Sequence, residues 1–201
     1  MSPLPDLAIP ADSRALRLRA MTRETHERLD HTVMNAASFA TRDGYARFAA
    51  SQYLFHRDID ALYADPALRA VLSNLALRRQ LPLLALDLAD LGAPVPPGES
   101  PPIFAADKPI DLPTALGWLY VAEGSRMGAA LLRREAAKLG LSDGFGARHL
   151  APAPEGPAAH WRAFVRALDA VDLAPEDEAR VITGATAAFA QVQAHVDQRL
   201  G

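Results

Sequence analysis

Three glycines, Gly117, Gly124 and Gly128, punctuate the longest helical stretch legible in the chain, and they constrain its fold more than any other residues. At about 100° per residue, their spacing puts them within roughly 40° of one another on one helix face. The run from Asp111 to Gly140 otherwise reads as a single helix. Asp111 stands at the N-cap, Pro113 in the first turn, and Gly140 just past the last apolar turn. Each interior glycine costs about 0.5–1 kcal/mol relative to alanine, so a row of them signals close approach along that face. Two occupants fit: a second helix packed backbone to backbone, or a flat, bulky body lying against the main chain.

The remaining sequence is helical in the same sense. Alanine, leucine and arginine dominate, and no run of alternating β-branched residues points to a strand, so the expected fold class is all-α. A first helix is expected from near Ser13 to about Ala36. A second starts after Thr41-Arg42-Asp43, with Thr41 or Asp43 as its cap. Helical stretches follow at Pro66–Leu72 and Leu75–Leu91. The segment Gly92–Pro109 holds Pro94, Pro96, Pro97, Pro101, Pro102 and Pro109 and reads as a loop. Helices at Pro157–Val171 and Pro175–Leu200 close the chain, the last opened by Glu176, Asp177 and Glu178 where the helix dipole favours acid. A chain of 201 residues suits one domain over 12–201, preceded by a flexible tail over 1–11.

Composition narrows the function. The net charge of −3 gives no reason to expect nucleic acid or an anionic membrane as partner. No apolar run approaches the roughly 20 residues that span a bilayer, and the N-terminus lacks the pattern of a signal peptide. The reading is a cytoplasmic protein. Without cysteine there is no thiolate nucleophile, Cys-based zinc site or cysteine-ligated iron–sulfur cluster. Repeated Glu-x-x-His pairs, which a di-iron bundle needs, are missing. His26 and His31 are five residues apart, about 140° around a helix, and cannot share a metal as an i, i+4 pair does. The segment Gly124-Ser125-Arg126-Met127-Gly128 lies within a helical pattern and lacks the preceding strand of a dinucleotide fingerprint.

A lone His26 is weak evidence of a ligand, and a glycine row alone is equally well explained by helix packing. Together they describe something more specific. A planar macrocycle clamped between two helices takes one axial imidazole on its proximal side and leaves room on the other. The residues themselves extend this. The run Leu116-Gly117-Trp118-Leu119-Tyr120-Val121-Ala122-Glu123-Gly124-Ser125-Arg126-Met127-Gly128-Ala129-Ala130 resembles the distal helix of bacterial heme oxygenases. Thr25-His26-Glu27-Arg28-Leu29 is similar to their proximal-histidine segment, and Phe48 to Phe55 and Leu139 to Leu150 add support. The resemblance spans about residues 14–200 in the correct order.

The resemblance implies a single-domain helical bundle in which heme is both cofactor and substrate. His26 would ligate the iron, and Gly124 and Gly128, with Ser125 between them, would let the distal helix approach the heme. Dioxygen and external electrons, from a ferredoxin or flavin reductase, would open the ring to biliverdin, carbon monoxide and ferrous iron. A bacteriophytochrome would be one acceptor of the bilin, and a monomer is the expected state. A non-catalytic heme carrier or sensor on the same scaffold is the competing reading. Arg19, two turns before His26 on the same face, is either a propionate contact or a solvated arginine. Tyr120, one turn before Gly124, either orients the heme in its plane or packs with its hydroxyl at the surface. Arg133 and Arg134 are further propionate candidates, and His56 and Arg79 candidates for a distal water network. Met34 stands where some relatives carry a basic propionate contact. His31, His149, His160 and His195 show no paired spacing and read as structural or surface residues.

Overall fold

The computed structural model describes residues 13–35 and 39–200, with side chains omitted at 30, 34 and 35. The expected tail over 1–11 and the side chain of Met34 therefore lie outside the described residues. Eight α-helices are present among the described residues: α1 (Arg14–Asn35), α2 (Arg42–Asp58), α3 (Pro66–Val71), α4 (Leu81–Asp90), α5 (Leu112–Ser125), α6 (Ala129–Lys138), α7 (Pro157–Asp169) and α8 (Pro175–Leu200). No β-strand forms among them, only isolated bridges from Ser142 to Phe145 and Gly146. The all-α expectation holds.

Local chemistry sets most boundaries as the sequence suggests. Thr41 caps α2, its hydroxyl accepting from the Gly44 N–H at 3.0 Å. Asp111 caps α5 by accepting from the Thr114 N–H and hydroxyl. Gly140, at φ +75°, follows α6 in the left-handed conformation that a helix end favours. The stretch expected as one helix over Leu75–Leu91 is two elements, a 3₁₀ turn Leu75–Arg78 and then α4. Pro82 accounts for the break: it lacks an N–H and fits only the first turn of a helix.

The larger correction concerns the helix expected from Asp111 to Gly140. It breaks between Ser125 and Ala129 into α5 and α6. Across the break the main chain bonds at i, i+3: Met127 N–H to Gly124 O, Gly128 N–H to Ser125 O and Ala129 N–H to Arg126 O. The Ser125 hydroxyl also donates to Ala122 O at 2.8 Å, a back-bond that bends helices. Gly117 and Gly124, seven residues apart on the unbroken α5, keep to one side of that helix but meet different neighbours, and Gly128 lies past the break. Gly117 faces α8, where a Cβ would fall 2.2 Å from Val181 O and 2.5 Å from Ala185 N. Of the two occupants the glycine row allowed, a packed helix is the one at Gly117.

The core gathers around α5, whose residues 115–123 are all buried. Helix α8 lies along it, with α2 and α1 against α8. Arg14 staples the start of α1 to its neighbours, donating to Glu178 on α8 and to the carbonyls of Leu168 and Val171. Asp58, buried at the end of α2, accepts from Gln191 at 2.7 Å and lies 2.8 Å from His195 Nε2, both on α8. Burial would raise the Asp58 pKa, but these bonds and one from Arg57 hold it below the ordinary carboxylate value. Together these contacts leave one long gap, between α1 on one side and the α5–α6 break on the other.

Candidate functional site

That gap is a cleft of about 740 Å³, within the range of roughly 300–1,000 Å³ that small-molecule and cofactor sites occupy. Helix α1 presents Arg19, Thr22, Arg23 and His26 to it, all on one face. The opposite wall is Tyr120, Gly124, Ser125, Arg126 and Gly128, with Phe189 and Val192 of α8 completing the apolar interior. His26 is exposed, its ring set edge-on to Phe189 at 5.7 Å between centroids and 79° between planes. Thr22, one turn earlier, turns its hydroxyl back onto Leu18 O at 2.7 Å, so α1 offers the imidazole as its principal nitrogen donor on that face.

The wall opposite carries little bulk. A Cβ on Gly124 would sit 3.7 Å from the Trp161 ring, and one on Gly128 would meet only Ser125 O at 3.6 Å. Gly128 has φ −80°, which any residue adopts, so its backbone conformation does not require glycine. The protein leaves room above both residues on the cleft side. Tyr120 lies 5.7 Å from Trp161 between ring centroids. Burial pushes its hydroxyl up to about 12, with Arg19 drawing it partly back, so the phenol stays protonated.

A polar end of the cleft emerges that the sequence shows only in part. His56 of α2 is buried there. Burial first, then the neighbouring His149 and Arg126, push its pKa down to about 3 and keep the ring neutral. Its Nδ1 has no hydrogen-bond partner among the described residues, and the same is true of Nε2 of His149 and Oε1 of Gln80, both of which also line the cleft. Buried polar atoms of this kind are normally satisfied by water or ligand. His149 was read from sequence as structural or surface. It reaches the cleft because Asp87 of α4 accepts from its backbone N–H and binds its Nδ1 at 2.8 Å. Hydrogen bonds from His149 and Arg148 hold Asp87 below the ordinary carboxylate value although burial opposes this. No sequence signal marks His149, because its partner lies 62 residues away.

Three sequence candidates fall elsewhere. Arg133 is exposed, pairs with Asp143 at 2.5 Å and borders a smaller pocket rather than the cleft. Arg134 is exposed and does not line the cleft. Arg79 forms a two-pronged bond to Asp60 at 2.6 and 2.7 Å, also away from the lining. Arg126 was not singled out from sequence. It stands at the break, half-buried and lining the cleft. Among the described residues there is no cluster of three or more His, Asp or Glu that would hold a metal ion by itself. None of the helices is long and apolar enough to cross a membrane.

A flat molecule fits this arrangement: one imidazole on one wall, bare backbone on the other, apolar side chains between and arginines at the α1 edge. Comparison with known proteins points the same way. A family model described as heme oxygenase matches residues 12–197. The heme oxygenase PigA of Pseudomonas aeruginosa is 46% identical over 176 residues, covering 88% of this chain and 87% of that protein. The structure of the heme oxygenase from Neisseria meningitidis, solved with NO and CO bound, superposes with a TM-score of 0.87 at 38% identity, covering 95% of this chain and 94% of that one. The heme oxygenase from Leptospira interrogans gives 0.73 at 16% identity over 92% and 99% of the two chains, which shows shared fold alone.

Proposed function

The chain belongs to the heme oxygenase family, oxygen-dependent enzymes that degrade heme to biliverdin, and from that premise we propose how its own residues divide the work. Bound heme supplies both the iron at which dioxygen is reduced and the ring that is opened, with electrons delivered by a reductase. The observation that carries the residue assignment is the cleft itself: His26 on one wall faces the uncovered backbone of Gly124 and Gly128 on the other.

His26 would hold the heme iron through an imidazole nitrogen, and Phe189, set edge-on to that ring, would limit its rotation. Gly124 and Gly128 leave space over the opposite face for a small diatomic. Ser125 donates its hydroxyl proton to Ala122 O, which leaves its oxygen lone pairs available at the break. Arg19 would offer its guanidinium to a propionate, and Tyr120, which lines the same cleft, would help to orient the heme. At the polar end His56 remains neutral, so its Nδ1 and the Nε2 of His149 hold ordered water and pass protons to the distal side. A ferredoxin or flavin reductase in the cytoplasm is the donor we favour, with a bacteriophytochrome as one acceptor of the bilin.

An absorption spectrum tests the reading. One equivalent of hemin should give a histidine-ligated Soret band that decays to red bilin absorption when ascorbate is added in air. A stable band would favour a carrier, and no band would sink the heme site. In His26→Ala the decay should stop and return with added imidazole. Full activity without it would remove His26 from the axial position.

A further inference from the structure

Behind the α5–α6 break, on the side away from His26, lies a buried ion pair to which the cleft reading gives no task. Glu123, one residue before Gly124, is 2% exposed, and Arg78 of the 3₁₀ turn is 6% exposed. The Glu123 Oε2 accepts from Arg78 Nη1 at 2.5 Å, and His160 Nε2 of α7 stands 3.2 Å from the same oxygen and 2.9 Å from the same nitrogen. His160 is held from its other side by Glu155 at 2.7 Å from Nδ1, and its carbonyl accepts from Arg78 Nη2 at 3.3 Å. The next residue, Trp161, leaves this knot and enters the cleft wall. Its ring stacks on Phe164 at 5.7 Å and 27°, lies 5.7 Å from Tyr120, and borders the space a Cβ on Gly124 would take.

Stability does not explain such a pair, since apolar residues of similar volume commonly replace a buried ion pair without loss. Charge-assisted hydrogen bonds do supply fixed direction, and here they tie three elements together at one point. The position matters because the chain immediately beyond is weakly held. The break has only i, i+3 bonds, and α6 starts at Gly128 with no side-chain cap. A pocket of about 50 Å³ beside the knot, lined by Glu123, Arg126, His160 and Trp161 among others, leaves the Trp161 ring room to tilt if the knot opens.

We propose that Glu123 and His160, with Arg78, are positioning residues that act through Trp161 to fix the height of the distal helix at Gly124 over the cleft. The inference rests on the reading of the cleft as the heme site. It assigns the buried pair to the geometry of the reaction rather than to the strength of the fold.

The chain has two tryptophans, Trp118 and Trp161, so ¹⁵N-labelled protein gives two indole N–H signals, each a control for the other. In the heme-free protein Glu123→Gln should move or broaden the Trp161 signal and leave Trp118 in place. His160→Gln, which keeps a hydrogen-bonding side chain facing Glu123, should produce a smaller shift of the same signal. In the heme-loaded enzyme Glu123→Gln should lower kcat about tenfold or more with heme affinity little changed, because a displacement near 1 Å can cost about a hundredfold. The double variant Arg78→Met with Glu123→Leu separates positioning from stability. It should recover the wild-type melting temperature and still turn over slowly. Recovery of kcat together with the melting temperature would overturn the proposal, as would an unmoved Trp161 signal in Glu123→Gln. If the unsubstituted protein bound no heme, the cleft reading would fail instead, while a Trp161-specific shift would still support the brace.

Discussion

The two ends of helix α5 use glycine in opposite ways. Near its start, Gly117 meets Gly184 of α8, and the protein itself fills the space a side chain would need. A Cβ at 117 would lie 2.2 Å from Val181 O, and one at 184 would lie 2.3 Å from Thr114 O. At its end and just beyond, Gly124 and Gly128 have nothing nearer than 3.6 Å to a built Cβ. The fold therefore compels the first pair and merely tolerates the second. A glycine that the fold does not need, set beside a cleft, points to an occupant outside the chain.

The largest effect should come from the closed end. Gly117→Ala drives a methyl into three backbone atoms that cannot rotate away, so unfolding of the heme-free protein should show a loss of about 3 kcal/mol, the upper end for an overpacked core. A loss below about 1 kcal/mol would mean that α8 can slide, and the contrast between the two ends would collapse.

The polar end of the cleft beside the open glycines offers the next test. His56 titrates near 6.5 when unfolded and at about 3 in the fold, so between those values the unfolded chain binds the extra proton. Its contribution to stability is fully present above 6.5 and is lost as the pH falls toward 3. Relative to His56→Gln, the heme-free wild type should lose stability with falling pH, with a slope of up to about 1.4 kcal/mol per pH unit. Asp58 and Asp87, held below the ordinary carboxylate value, push in the same direction at lower pH but are common to both proteins and drop out of the difference. Parallel curves would show that water already reaches the ring.

The contrast also shows what the sequence could disclose. Caps and prolines are local, so Thr41, Asp111 and Pro175 mark their helices without help from the rest of the chain. Arg19, His26, Tyr120, Gly124, Ser125 and Gly128 all line the cleft; helical spacing puts Arg19 with His26 on α1 and Tyr120 with Gly124 on α5, whereas Ser125 was legible only through the family resemblance. The break after Ser125 was hidden, because apolar periodicity runs on through it and only a serine back-bond and two glycines mark the bend. Gly117 was ambiguous for a tertiary reason: its partner is 67 residues on. Gly184 and Ala188, one turn apart on α8, were the available hint of a smooth face. His149, the Arg78–Glu123 pair and the Asp58–His195 bond join residues far apart in sequence, and only the folded chain brings them together.

A smaller effect is expected at the open end. Gly128→Ala adds a methyl that meets only Ser125 O, so stability should change by less than about 1 kcal/mol. The affinity of the ferrous heme complex for dioxygen should nevertheless fall, and by more than heme affinity does. Equal losses of both would show that the residue seats the ring rather than making room above it.

The smallest effect marks how far the open stretch extends. Arg133 follows Gly128 by five residues on α6, yet its guanidinium turns to Asp143 and the residue borders only the smaller pocket. Asp143 raises the affinity of that guanidinium for its proton by hydrogen bonding, a bond that a propionate would have to displace. Arg19 stands on the other wall, inside the cleft lining and close enough to Tyr120 to offset part of the rise that burial gives its pKa. Heme titrations should therefore separate the two. Arg133→Ala should leave the dissociation constant unchanged, while Arg19→Ala should weaken it about fivefold, the size of an exposed charge pair. A loss at Arg133 equal to that at Arg19 would mean that the ring reaches past the break along α6, and that the open face is longer than the two glycines that define it.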